Sequence, residues 1–135
     1  MNISLINWLA VLVAAASAFG LGGLWYGPVF GKAWQTLSGL SDEDIQQGHP
    51  GKIYGGALAL NLVIAATLAL LLQLHPAPDL LTGLNIGALL GVALVATNLG
   101  INYLFSRRPM KLYLIDAGYM VCLMVIMGAI LGGWR

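Results

Sequence analysis

The chain has 135 residues, of which 59% are hydrophobic and only 8% charged, where soluble domains carry about 25% charged residues. With a mean hydropathy of +0.86, this composition excludes an ordinary soluble domain and marks an all-α integral membrane protein whose main partner is the lipid bilayer. A net charge of +1 supplies no basic field for phosphate neutralisation, so no nucleic-acid partner is expected.

The N-terminal stretch MNISLINWLAVLVAAASAFG lacks the positive start of a secretory signal peptide, and its apolar run outlasts the short core of such peptides. It reads as a retained first span at about residues 5–30. Pro28 has no N–H to bond the Leu24 carbonyl and predicts a kink near the end of that span. The following loop, 31–52, carries a short surface helix: Ser41 is the N-cap, Asp42, Glu43 and Asp44 fill the first turn, and Gly48 and Pro50 stop it.

Three more stretches are long and apolar enough to cross a hydrocarbon core of about 30 Å, at about residues 53–74, 80–105 and 112–134. The whole chain, 1–135, is therefore one membrane domain, a four-helix bundle. Asn61, Thr67 and Asn85 are isolated polar groups of the kind that bond a neighbouring helix. His49 stands alone in a loop. His75 and Asp79 are too few ligands for a metal site, so no metal is expected. The single cysteine, Cys122, excludes an intramolecular disulfide and reads as a small core hydrophobe.

Short loops rich in Lys and Arg favour the cytoplasm. Lys32 and Lys52 flank the first loop, Arg107, Arg108 and Lys111 occupy the third, and Arg135 lies on the opposite side. Both termini are therefore expected outside. Trp8 and Trp134 would mark the outer interface, and Trp25, Tyr26, Trp34, Tyr54, Tyr103 and Tyr113 the cytoplasmic one.

Helices in lipid gain little from hydrophobicity when they meet, so small residues at close contacts matter more. Gly23, Gly27 and Gly31 recur every four residues in the first span, Gly83, Gly87 and Gly91 in the third, and Gly128 and Gly132 in the fourth. They read as packing grooves within or between protomers. A faint repeat aligns Gly22, Tyr26 and Phe30 with Gly100, Tyr103 and Phe105, with a gap.

The chemical question is Asp116, an acid within an apolar run. An Asp at the centre of a membrane helix costs about 2.5 kcal/mol or more, and such acids face protein or water and find partners. Asn98 and Asn102, four residues apart, share one face of the third helix, and Tyr119 shares the Asp116 face of the fourth. These residues predict a polar cluster of Asp116, Asn98, Asn102 and Tyr119, joined by Tyr26 or Tyr103 and rimmed by Arg107, Arg108 and Lys32. One reading makes it a proton or cation site; the other makes it a staple, Asp116 pairing with a loop cation while the asparagines bond across helices. No nucleophile with a matched base, zinc motif, phosphate loop or dinucleotide fingerprint occurs, so neither enzymatic chemistry nor a cofactor is expected.

The segments GLGGLWYGPVFGKAW, LSGLSDEDI, GINYLFSRRPMKLYLIDAGY and MGAILGGWR together make the chain resemble a bacterial membrane family known as domain of unknown function 1761. The resemblance covers nearly the whole chain and implies a small four-helix membrane protein. It places Trp25, Tyr26, Gly27, Pro28, Gly31, Asn102, Tyr103, Asp116 and Tyr119 within family-like segments and implies no activity. The small multidrug exporters are similar in size and span number, but this chain has no acid in its first span and a pronounced charge bias. The expectation is a homo-oligomeric protein of the bacterial inner membrane, a proton- or cation-linked transporter or channel with a small ion or molecule as ligand. The alternative is a structural or accessory membrane protein whose polar cluster only holds the fold.

Overall fold

The computed structural model describes residues 1–134; Arg135, the cation assigned to the side opposite the others, lies outside them. After a short 3-10 turn at Ile3–Leu5, the described residues form six helices. These are α1 (Trp8–Val29), α2 (Gly31–Ser38), α3 (Asp42–Gln47), α4 (Pro50–Leu72), α5 (Leu80–Phe105) and α6 (Met110–Gly133). The four long ones are apolar and long enough to cross a bilayer.

Side chains set most of the boundaries. Asn7 caps α1 by accepting from the Ala10 amide, so the first span starts at Trp8 and Leu5 stays in the preceding turn. His49 caps α4 through Nδ1, which accepts from the Lys52 amide at 3.1 Å, and Pro50 occupies the first helical turn, where its missing N–H costs nothing. The second span thus begins three residues before the sequence boundary, and the lone loop histidine has a structural task. Ser41 and Asp44 close a capping box on α3, and Asp79 caps α5 through the Thr82 amide at 2.8 Å.

The core lies where α1, α4 and α6 meet, at Val11, Ala14 and Ala18, at Ala65, Leu68 and Leu72, and at Leu123, Met127 and Leu131. The hydrophobic residues α4 turns outward, Leu58, Leu60 and Val63, form a lipid-facing surface of the kind expected in a bilayer. At the termini, Asn2 and Gln73 exchange hydrogen bonds of 2.6 and 2.8 Å, tying the chain start to the end of α4. Cys122 is half-buried on α6 rather than central in the core.

The closest approach is between α5 and α6. A methyl group at Gly83 would strike the Gly128 carbonyl, one at Gly87 the Met124 carbonyl, and one at Gly132 the Asp79 carbonyl, while at Gly91 it would lie 3.2 Å from the Val121 Cα. These glycines bring two backbones together. Gly23 and Gly27 behave differently: nothing lies within 4 Å of a Cβ built on either. Within the protomer they are not packing positions, because α1 presents Ala10, Ala14 and Ala18 to the bundle instead. Gly31 answers a local need, its Cβ being excluded by the Tyr26 carbonyl as the chain turns from α1 into α2.

Two π turns interrupt the long helices. In α1 the turn spans Trp25–Val29 and contains Pro28; the Phe30 amide reaches back five residues to the Trp25 carbonyl at 2.8 Å, so the proline produces a widened turn and then a break at Phe30. The second, Gly91–Ala96 in α5, has no proline to announce it. Side chains take up carbonyls around it: the Thr97 hydroxyl donates to Ala93 at 2.8 Å, the Asn98 amide to Leu94 at 2.7 Å, and the Tyr113 hydroxyl to Ala96 at 2.9 Å. Such compensation is what a helix in lipid requires.

Candidate functional site

The π turn in α5 decides which residues meet Asp116. In an unbroken helix each residue turns about 100°, so the face of Gly83, Gly87 and Gly91 would continue through Asn98 and Asn102. A π turn inserts one extra residue and rotates everything after it by about the same angle. Tyr103 consequently takes the inward position and is buried, whereas Asn98 and Asn102 are exposed. Both asparagines line a shallow groove with Leu94 and Met120, and the Asn98 amide is used within its own helix. This corrects the expected cluster: the asparagines are not partners of the carboxylate.

Asp116 is 7% exposed, and each of its carboxylate oxygens accepts from a tyrosine on a different helix. The Tyr26 hydroxyl, on the widened turn of α1, donates to Oδ1 at 2.6 Å. The Tyr103 hydroxyl, on α5, donates to Oδ2. One carboxylate thereby joins three spans, α1, α5 and α6.

A second pair of tyrosines flanks it at three residues on either side, on the same face of α6. The Tyr119 ring packs edge-on against Tyr26 with centroids 5.2 Å apart, and its hydroxyl donates to the Ala18 carbonyl of α1 at 2.9 Å. Tyr113 mirrors this on the other side: its ring packs against Tyr103 at 6.0 Å, and its hydroxyl donates to the Ala96 carbonyl of α5. In each case the bonded carbonyl lies four residues before a glycine, Gly22 or Gly100, where a Cβ would stand 3.3 Å from the tyrosine oxygen. Helices α1 and α5 therefore offer matched sets, Ala18, Gly22 and Tyr26 against Ala96, Gly100 and Tyr103. The glycine-to-tyrosine spacing differs by one residue, which is part of the gap in the faint sequence repeat.

Trp25 adds a further tie, its indole N–H donating to the Ile115 carbonyl at 2.9 Å. Its ring lies where a side chain at Gly118 would start, 2.9 Å from a built Cβ. Trp34 of α2 packs edge-on against Tyr26 at 5.6 Å and covers that flank. Of the three expected rim cations, Arg108 touches the network: one guanidinium N–H donates to the Tyr103 hydroxyl at 3.3 Å, with the guanidinium 5.1 Å from the ring centroid. Arg107 and Lys32 are exposed. The staple imagined from sequence, a loop cation on the carboxylate, is thus replaced by tyrosine hydroxyls, with Arg108 one step further out.

Among the described residues, no buried side-chain polar atom lacks a partner, and no three metal-ligating side chains converge. The arrangement can hold a carboxylate in a low-dielectric site through two O–H donors. If the acid takes up a proton it becomes a donor as well as an acceptor, and the clasp must then find an acceptor for the added O–H. Tyr113 and Gly118 were not part of the sequence-derived cluster. The three-residue spacing of Tyr113, Asp116 and Tyr119 is the signal that points to the first; nothing in the sequence marks the second.

Fold and site together define a four-helix membrane protein with a tyrosine-clasped aspartate at the junction of three spans. The model of the family described as "Protein of unknown function (DUF1761)" matches residues 9–132, and the chain belongs to that family. No curated protein and no solved structure matches significantly.

Proposed function

We infer that the protein is a small homo-oligomeric transporter or channel of the bacterial inner membrane, linked to protons or cations, in which Asp116 takes up and releases the ion. The observation that supports this reading is the placement of Asp116: buried, yet joined through Tyr103 to the exposed Arg108 by successive hydrogen bonds. Ionisable groups held inside a membrane bundle are costly and characteristically functional. Protonation would place a new donor on a carboxyl that bonds both α1 and α5, which gives ion uptake a mechanical consequence. An oligomer supplies room for a pathway, and the open Gly23 and Gly27 face of α1 suits a second copy. The cations Lys32, Lys52, Arg107, Arg108 and Lys111 favour a cytoplasmic position for the end of the bundle that carries them.

A second reading is an accessory membrane protein in which the clasp only holds the fold. It draws support from the full satisfaction of the Asp116 oxygens and from the buried apolar side chains packed between α1, α4 and α6. Asp116→Asn decides between them, because the amide retains the size and one acceptor of the original group. Proton and cation flux into proteoliposomes is measured at equal amounts of folded protein. Transport predicts flux in the wild type and its loss in the variant. Absence of flux from both, across several ions and both gradient directions, would eliminate transport and leave the clasp as the role of Asp116.

A further inference from the structure

The turn between α5 and α6 has features that the Asp116 network does not need. It closes α5 in a Schellman arrangement, with the Arg107 amide on the Leu104 carbonyl at 3.3 Å and the Arg108 amide on the Tyr103 carbonyl at 3.0 Å. Arg107 takes the left-handed position with φ of 58°, which glycine adopts at least cost. After α2 the chain does use glycine at such a position, Gly39 with φ of 74°. An arginine held in a strained turn calls for a task that its side chain performs.

Beside this turn lies a cleft of about 520 Å³. Ile101, Leu104, Met110 and Tyr113 line it, together with Arg107 and Arg108. Gly100 also belongs to the lining and leaves space for the Tyr113 hydroxyl. The chain has five acids, and three have partners elsewhere: Asp42 with Gln35, Asp44 with Ser41 and Asp79 with Thr82; Asp116 is held by the two tyrosines and reaches Arg108 through the Tyr103 hydroxyl. The guanidinium of Arg108 has five N–H donors, of which one bonds Tyr103.

We propose that this cleft binds an acidic phospholipid, with the phosphate on Arg107 and Arg108 and an acyl chain along Ile101, Leu104 and Met110. Charge and apolar surface argue jointly for that occupant. Free phosphate would engage the arginines but leave the apolar wall uncovered, and a hydrocarbon without a charge would leave the arginines unmatched. A bilayer supplies an amphiphile with both parts at the end of a span, where basic residues select acidic headgroups. The site shares Arg108 with the chain of hydrogen bonds that runs through Tyr103 to Asp116, whereas Arg107 stands outside that chain and tests the lipid site by itself.

The test uses the full chain in neutral detergent, with binding followed by native mass spectrometry. The probes are phosphatidylglycerol, phosphatidylcholine with the same acyl chains, and inorganic phosphate. Phosphatidylglycerol is expected to bind, with phosphatidylcholine and phosphate much weaker. Arg107→Gln and Arg108→Gln each weaken it about fivefold, and the pair about 25-fold. Arg107→Gly guards against misfolding, because glycine is at ease in the turn: it is expected to melt no lower than the wild type and still bind the acidic lipid about fivefold more weakly. Lys32→Gln and Lys52→Gln are expected to leave binding unchanged. Equal losses from the lysine variants would reduce the effect to diffuse charge attraction. Phosphate binding as tightly as the lipid would identify a free-anion site, and unchanged lipid binding in the arginine pair would remove the site altogether.

Discussion

At the scale of single residues, Asp116 links more of the structure than its size suggests. A buried carboxylate oxygen deprived of its donor costs about 1–3 kcal/mol, and the two tyrosines differ in how easily water can replace them. Tyr103 is 7% exposed, whereas Tyr26 is only half-buried. Tyr103→Phe is therefore expected to lower stability by about 2 kcal/mol and Tyr26→Phe by about 1 kcal/mol, as thermal or denaturant unfolding in detergent would measure. A larger loss in Tyr26→Phe would contradict the exposure argument. The importance of Asp116 was legible because an acid in an apolar run must find partners. Tyr26 was legible from its depth along α1. Tyr103 could only be offered beside it, since its orientation depends on a backbone irregularity that no side chain announces.

At the scale of the elements, the glycines separate into two groups that the sequence presents alike. Gly87→Ala and Gly128→Ala each force α5 and α6 apart and are expected to destabilise by about 1–3 kcal/mol. Gly23→Ala and Gly27→Ala meet nothing within 4 Å and should gain about 0.5–1 kcal/mol through reduced backbone entropy. Unfolding measurements on the four variants check the contrast; a fall in oligomer mass in the α1 variants would place Gly23 and Gly27 between copies. The start of α5 has its own pH dependence. The Thr82 amide and hydroxyl hold the Asp79 carboxyl below its ordinary value of 3.8. A depressed folded value means that this stabilisation is complete above the ordinary value and is lost as pH falls through the lower one. The protection factor of the Thr82 amide, its exchange relative to the intrinsic rate at each pH, should fall on acidification below about pH 4, and Asp79→Asn should remove that dependence.

At the scale of the whole molecule, α6 is the shared partner. It meets α5 through glycines, α1 and α4 through the apolar core, and α1 and α5 together through Asp116. The matched residues of α1 and α5 turn the faint repeat into a spatial correspondence around α6. The distribution of cations yields a topology prediction: a reporter fused to the C-terminus should be active only outside the cytoplasm, and cytoplasmic activity would reverse the assignment. With Asp116→Asn and the lipid titrations, it tests orientation, ion binding and headgroup recognition separately.

The sequence by itself determined the environment, the number of spans and the presence of a buried acid, because membrane insertion depends on hydropathy and length, which are local and additive along the chain. Helix starts were partly legible for the same reason: Ser41 bonds an amide three residues away. Only the tertiary structure decided which glycines touch and which polar groups meet the carboxylate. Both depend on rotation about a helix axis, and the single extra residue in Gly91–Ala96 was enough to turn Asn98 and Asn102 outward and bring Tyr103 to Asp116.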